Sequence, residues 1–219
     1  MKIQKIDLLV ALYIFCILVA ETMGGKTFPL ATIGGFKLNA SVAIFVIPLL
    51  FTVNDVIVEV YGKDRARSVI RSGLTMIVLL IGFTLLATAL PPSPRFASSE
   101  SAYDLIFHQS TRIALASLVA FAAADFLDVH VFSRLREKFG ARRLWLRNNA
   151  SNFIAQLVDT TLFMTLAFYA TGRGLGDNFH FLWGLILPYW LLKCSMSIIE
   201  TPLVYLGVKW LRGDAVARS

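Results

Sequence analysis

The feature that most constrains this chain is an alternation. Apolar runs long enough to cross a bilayer are separated by short segments that hold most of the Lys and Arg. Backbone in hydrocarbon finds no water for its N–H and C=O groups, so each run must close its own hydrogen bonds as an α-helix. At about 20 residues per crossing, the runs fall at about residues 6–23, 40–60, 70–90, 105–132, 149–171 and 181–208. The expected fold class is therefore all-α: a polytopic bundle of six transmembrane helices forming a single membrane-embedded domain over residues 1–219. Only 16% of the residues are charged, against roughly 25% in a soluble domain. That excludes a soluble two-domain enzyme, and no length is expected to remain for a sizeable extramembrane domain.

Punctuation between the runs refines this picture. The run at 8–20, set between Lys2/Lys5 and Glu21, has the outline of a signal peptide, but no small-x-small cleavage site follows. A first transmembrane helix is expected instead. Residues 24–39 carry four glycines and Pro29, which predicts a turn-rich hairpin or a partly re-entrant loop. Tyr61-Gly62 closes the second run, Pro91-Pro92 the third, and Gly172, Gly174 and Gly176 open a loop before the sixth. Pro188 and Pro202 inside the sixth predict a kink or tilt.

A net charge of +7 raises the question of nucleic acid. A nucleic-acid footprint needs a basic face on a soluble element, whereas here the cations lie between apolar runs, so no nucleic-acid partner is expected. Their distribution instead sets orientation. Lys2 and Lys5, the 62–71 and 133–147 connections and the tail from Lys209 together hold 15 cations, all on one side if there are six crossings. Lys26, Lys37, Arg95 and Arg173 are the four on the other side. Both termini are expected in the cytoplasm, and an odd number of crossings would break the asymmetry. Cys16 and Cys194 fall inside apolar runs without a CxxC partner, as small core residues rather than a disulfide or metal site.

Ionisable groups at membrane depth are costly unless they face a cavity or a partner. The second run carries Asn54, Asp55 and Glu59, the two acids four apart on one face. The fourth has Arg112 near its start and Asp125, Asp128 and His130 toward its end. In the fifth, Asn152, Gln156 and Asp159 draw one inward polar stripe, with Phe163 a turn further on. The sixth places Lys193 and Glu200 seven apart, again on one face. Structural alternatives exist for most of these. Glu59 and Asp128 could cap an interface or pair with the adjacent basic connection, and Arg112 and Glu21 could snorkel outward. His108 and His130 could be packing histidines, and His180 sits in an outer loop. The amide stripe could be interhelical glue at about 1 kcal/mol per contact, although a stripe that includes a carboxylate is more than glue requires and favours a lined cavity.

No P-loop, HExxH motif or nucleophile triad is present, so no enzyme activity and no cofactor are expected. Six nonidentical runs with scattered carboxylates fit a solute site better than a channel filter. Residue chemistry alone leaves a small secondary transporter and a substrate-binding membrane subunit side by side.

These polar residues also occur in a recognisable order. The chain resembles the bacterial queuosine precursor transporter family, small six-span inner-membrane proteins long classed as a domain of unknown function. The resemblance rests on the block from Pro48 through Asn54, Asp55, Glu59 and Tyr61-Gly62 to Ala66-Arg67, and on Arg112-Ile113-Ala114. It rests further on the string Asp128-Val129-His130-Val131-Phe132-Ser133-Arg134, on Arg147 to Asn152 with Gln156, Asp159-Thr160 and Phe163, and on Lys193, Thr201-Pro202 and Tyr205. These blocks run from about residue 40 to 208.

The resemblance implies import of 7-cyano-7-deazaguanine and 7-aminomethyl-7-deazaguanine across the bacterial inner membrane, for salvage into transfer RNA. A carboxylate can accept the N–H and exocyclic amine of a guanine-like edge, and amides can read its carbonyl. On that basis Asp159 or Asp125 takes the guanine edge, Asn152 and Gln156 add hydrogen bonds, and Phe163 stacks. Asp125 stands where the family often has another hydrogen-bonding residue. Lys193 neutralises one of the buried carboxylates. Asp55 and Glu59 serve cation or proton coupling or helix pairing, and Asp128 and His130 form a cytoplasmic gate tied to Arg134 and Arg136. Arg112 is grouped with these coupling or gating residues. A membrane subunit using a separate ATPase complex is the alternative, and a homodimer is compatible with either.

Overall fold

A computed structural model describes the backbone of residues 4–139 and 144–216; side chains at 125–126, 128–152, 196–201 and 212–216 lie outside the description. Six α-helices are present among the described residues: α1 (Lys5–Met23), α2 (Ile47–Tyr61), α3 (Lys63–Ala89), α4 (Glu100–Phe139), α5 (Leu144–Phe168) and α6 (Leu175–Val216). Each overlaps one of the six apolar runs, although α2 begins at Ile47 rather than near 40 and α5 ends at Phe168 rather than near 171. Among the described residues four helical segments, Lys5–Met23, Val42–Tyr61, Lys63–Ala89 and Glu100–Ala124, are long and apolar enough to cross a membrane, and the apolar stretch Phe153–Phe168 of α5 is shorter. Helix α6 stays helical through Pro188 and Pro202.

The glycine-rich 24–39 segment forms a two-stranded antiparallel hairpin, β1 (Thr27–Ile33) with β2 (Phe36–Ser41). Gly34 and Gly35 make its two-residue turn at φ 57° and 83°, the positive values that a tight hairpin turn demands and that glycine adopts without strain. Mostly helical is thus the observed class, and the hairpin expected from the glycines is its one sheet among the described residues.

The chain divides into two compact units. The first comprises Met1–Thr27, Ser41–Ala114 and Ser195–Ser219. Here α1 packs on α2 and α3, and α2 on α3. Small residues allow the close approaches: a Cβ on Gly73 would fall 2.5 Å from Ile17 Cδ1, and one on Gly207 would fall 2.7 Å from Val56 Cγ2. Hydroxyls supply the interhelical hydrogen bonds. Thr84 and Thr111 meet at 2.8 Å, and Ser110 donates to the Thr22 carbonyl at 3.0 Å. Buried Ser41 joins the end of α1 to the entry of α2, donating to the Gly24 carbonyl at 2.6 Å and accepting from the Ala43 N–H at 3.1 Å. A single residue, Gly62 at φ 84°, turns α2 into α3.

The second unit comprises Phe28–Ala40 and Leu115–Cys194. Its helices α5 and α6 are joined by residues 169–174 and run antiparallel, with Phe153 against Trp190. Buried Asn178 fastens the connection. Its side chain accepts from the Ala170 N–H at 2.9 Å and donates to the carbonyls of Ala170, Arg173 and Gly174 at 2.9, 3.2 and 3.2 Å.

Candidate functional site

Within the second unit, the polar stripe expected on α5 meets α6. Helical side chains lean toward the N-terminus of their own helix. In an antiparallel pair, Asp159 on α5 and Lys193 on α6 therefore lean toward each other along the seam. They form an ion pair, Lys193 Nζ to Asp159 Oδ2 at 2.5 Å, with the side chains 15% and 25% exposed. Taking two charges out of water costs several kcal/mol per ion, and the mutual attraction repays that only with good geometry and further hydrogen bonds. Such a pair is a weak stabiliser.

Gln156 is half-buried one turn before Thr160. The Thr160 hydroxyl is buried without a hydrogen-bond partner among the described residues, a deficit of about 1–3 kcal/mol that a ligand could relieve. Phe163 is half-buried and packs edge-on to Phe168 at 6.4 Å. Trp190, three residues before Lys193, stands edge-on to Phe153 with ring centroids 4.5 Å apart. Its indole N–H reaches the Phe153 carbonyl at 3.5 Å. Lys193 was expected to neutralise one of the carboxylates inside the runs, and the one it pairs with, half-buried, is Asp159.

Other expected site residues fall elsewhere. The side chains of Asn152, Asp125, Asp128 and His130 lie outside the described residues. Asp55, Glu59 and Arg112 belong to the first unit, and all three are exposed. Asp55 and Glu59 share one face of α2, away from its buried face of Val53, Val56 and Ile57. Glu21, for which outward snorkelling was one option, is instead 5% exposed. Sequence reasoning missed Trp190, whose signal was helical spacing from Lys193, and Asn178, which precedes the expected sixth run. Among the described residues no three His, Cys, Asp or Glu side chains gather as a metal site.

A model of the family described as "Putative vitamin uptake transporter" matches residues 41–207 of the chain. The chain belongs to this family. Its vitamin uptake transporter match starts at the entry to α2 and includes both Asp159 and Lys193. A relative named "Probable queuosine precursor transporter" from Bacillus subtilis (strain 168) is 32% identical over 185 residues, 84% of this chain and 78% of the relative. "Queuosine precursor transporter" of Escherichia coli (strain K12) is 33% identical over 128 residues, 57% of this chain and 53% of the relative. A Haemophilus influenzae protein carrying the "Probable" form of that name is 29% identical over 148 residues, 66% of this chain and 58% of the relative. No solved structure matches. The family is one of transporters, and with its long apolar helices the chain is a transmembrane protein.

Proposed function

We propose that the chain imports queuosine precursors, 7-cyano-7-deazaguanine and 7-aminomethyl-7-deazaguanine, across the bacterial inner membrane for transfer RNA modification. The observation that carries this is the half-buried Asp159–Lys193 pair on the α5–α6 seam, in a chain whose relatives are named for that transport. A carboxylate has about four lone-pair directions, so holding Lys193 through one oxygen leaves acceptor capacity for the N–H groups of a guanine-like edge. Lys193 balances the charge of that carboxylate. The Thr160 hydroxyl and Gln156 amide offer the complementary donors and acceptors, and Phe163 or Trp190 the apolar face for the rings. Transport then consists of exposing this site alternately to the two sides, and the catalytic machinery of an enzyme has no part in it.

Six crossings with both termini cytoplasmic suit the same proposal. Within the first unit, Lys5 at the start of α1 donates to the Trp210 carbonyl near the end of α6, with its ammonium 4.8 Å from the Trp210 ring centre. Chain ends that meet support an even number of crossings, and the 15-to-4 cation asymmetry supports their cytoplasmic side.

The test is rescue of transfer RNA queuosine in a host unable to make the precursors, at low external precursor. The wild-type chain is expected to restore it, and Asp159→Ala and Asn152→Ala to abolish rescue at unchanged protein level. Unchanged rescue by both variants overturns the site, and no rescue by wild type at several concentrations overturns the transport assignment. Uptake by the purified chain in proteoliposomes without an ATPase is expected, and would exclude the alternative of a substrate-binding subunit driven by a separate ATPase complex.

A further inference from the structure

The second unit contains another concavity, away from the α5–α6 seam residues just described. It is an open cleft of about 470 Å³ between the β1–β2 hairpin and the first turns of α6, within the range of about 300–1,000 Å³ typical of small-ligand sites. We propose that this cleft is a capture site for a guanine-like heterobicycle, occupied before the ligand reaches Asp159. The proposal rests on the transport assignment above and adds a second subsite to it.

Its chemistry is the first argument. Asp177 supplies carboxylate acceptors for the paired N–H donors of such an edge, and Lys37 and Arg173 supply cationic donors for its ring carbonyl. Asn39 can donate and accept. Phe36 and His180 line the same cleft with ring centroids 6.3 Å apart and planes inclined at 55°, so a flat heterocycle meets aromatic surface as well as polar edges. A simple anion site would have no use for Asp177, and a lipid-tail groove would have no use for the four charged or titratable side chains.

Rigidity is the second argument, because a preformed site loses less entropy on binding. Two fixed pieces build the walls. On one side, Gly184 of α6 lets the hairpin lie directly on the helix: a Cβ there would stand 2.5 Å from the Lys37 carbonyl oxygen and 3.2 Å from Asn39 Nδ2. On the other, Asn178 holds the connection that presents Arg173 and Asp177 through four hydrogen bonds. Both walls are connections at one end of the helices. On the six-crossing topology that end is the outer face, where an imported solute arrives.

The experiment measures initial uptake of 7-cyano-7-deazaguanine by the full chain in proteoliposomes as a function of external concentration. Asp177→Asn and Phe36→Leu, both at accessible positions, are expected to raise the half-saturating concentration about tenfold, the first by losing a charge-assisted contact and the second by losing aromatic surface. The maximal rate should stay within about twofold. Asp159→Asn, by contrast, is expected to abolish uptake at every concentration. Half-saturation unchanged in both cleft variants overturns the proposal. If wild type shows no uptake, the transport assignment fails separately, and equilibrium dialysis of the same compound against the solubilised chain decides the cleft. Binding that is weakened by Asp177→Asn supports it, and absent or unweakened binding overturns it.

Discussion

At the residue scale, the informative feature is a charge pair in which neither member can be understood alone. Removing one partner of a fully buried pair costs about 3–5 kcal/mol, and of a half-buried one such as this less, while replacing both by apolar groups of similar size is often close to neutral. Lys193→Met should therefore destabilise the solubilised protein more than the double variant Asp159→Leu/Lys193→Met. Thermal unfolding in detergent would show it as a lower Tm for the single variant, and a double variant with the lower Tm would refute the pairing. The double variant, which lacks the carboxylate of the proposed site, should lose precursor uptake even where its Tm recovers. Asp159 and Lys193 were legible in the sequence as ionisable groups inside apolar runs. Their partnership was not, because Lys193 shares a face with Glu200 on its own helix and several carboxylates lay within reach of any plausible packing. Thr160 was legible only as part of the Asp159-Thr160 motif and Trp190 not at all, since an unmatched hydroxyl and an edge-on indole are properties of a neighbourhood.

At the element scale, the glycines divide into two kinds. Gly73, Gly184 and Gly207 are small because another element lies against them, so their importance depends on packing that no local pattern records. Gly62 differs: nothing lies within 4 Å of where its Cβ would be, yet its φ is 84°. Its requirement is conformational. Gly62→Ala should cost about 1–2 kcal/mol and lower the Tm in detergent without filling any contact. An Ala variant as stable as wild type would show that α2 and α3 can join without the positive φ. The helices themselves, and the hairpin with its Gly34-Gly35 turn, followed from apolar length and turn residues, because a backbone without water has few alternatives. Interhelical glue was the harder matter. The amide stripe on α5 was one candidate for it, whereas in the first unit Ser and Thr supply it, through Thr84–Thr111 and Ser110–Thr22. Such hydroxyls also bond to the preceding turn of their own helix, as Thr111 and Ser110 do, so their cross-helix role leaves no mark in the sequence.

At the scale of the whole molecule, topology can be tested directly. In a background with Cys16→Ala and Cys194→Ala, single cysteines at Ser68, Ser98 and Lys209 would be labelled by an impermeant maleimide from each side of oriented vesicles. All three positions are exposed. Ser68 and Lys209 are expected to react from the cytoplasmic side and Ser98 from the opposite side. Reaction of Ser98 and Lys209 from the same side would require an odd number of crossings and refute the six-span arrangement. By itself the sequence determined membrane residence, a mostly helical class and the expected orientation, because hydrocarbon length, backbone satisfaction and loop charge are additive along the chain; the family followed from the order of its polar residues. Which carboxylate Lys193 neutralises, that Glu21 is buried, and that the hairpin and the α5–α6 connection flank an open polar cleft were decided only by the tertiary structure. Each is a relation between residues distant in the chain, set by which helix faces pack, and apolar periodicity in a membrane is too uniform to choose among those packings.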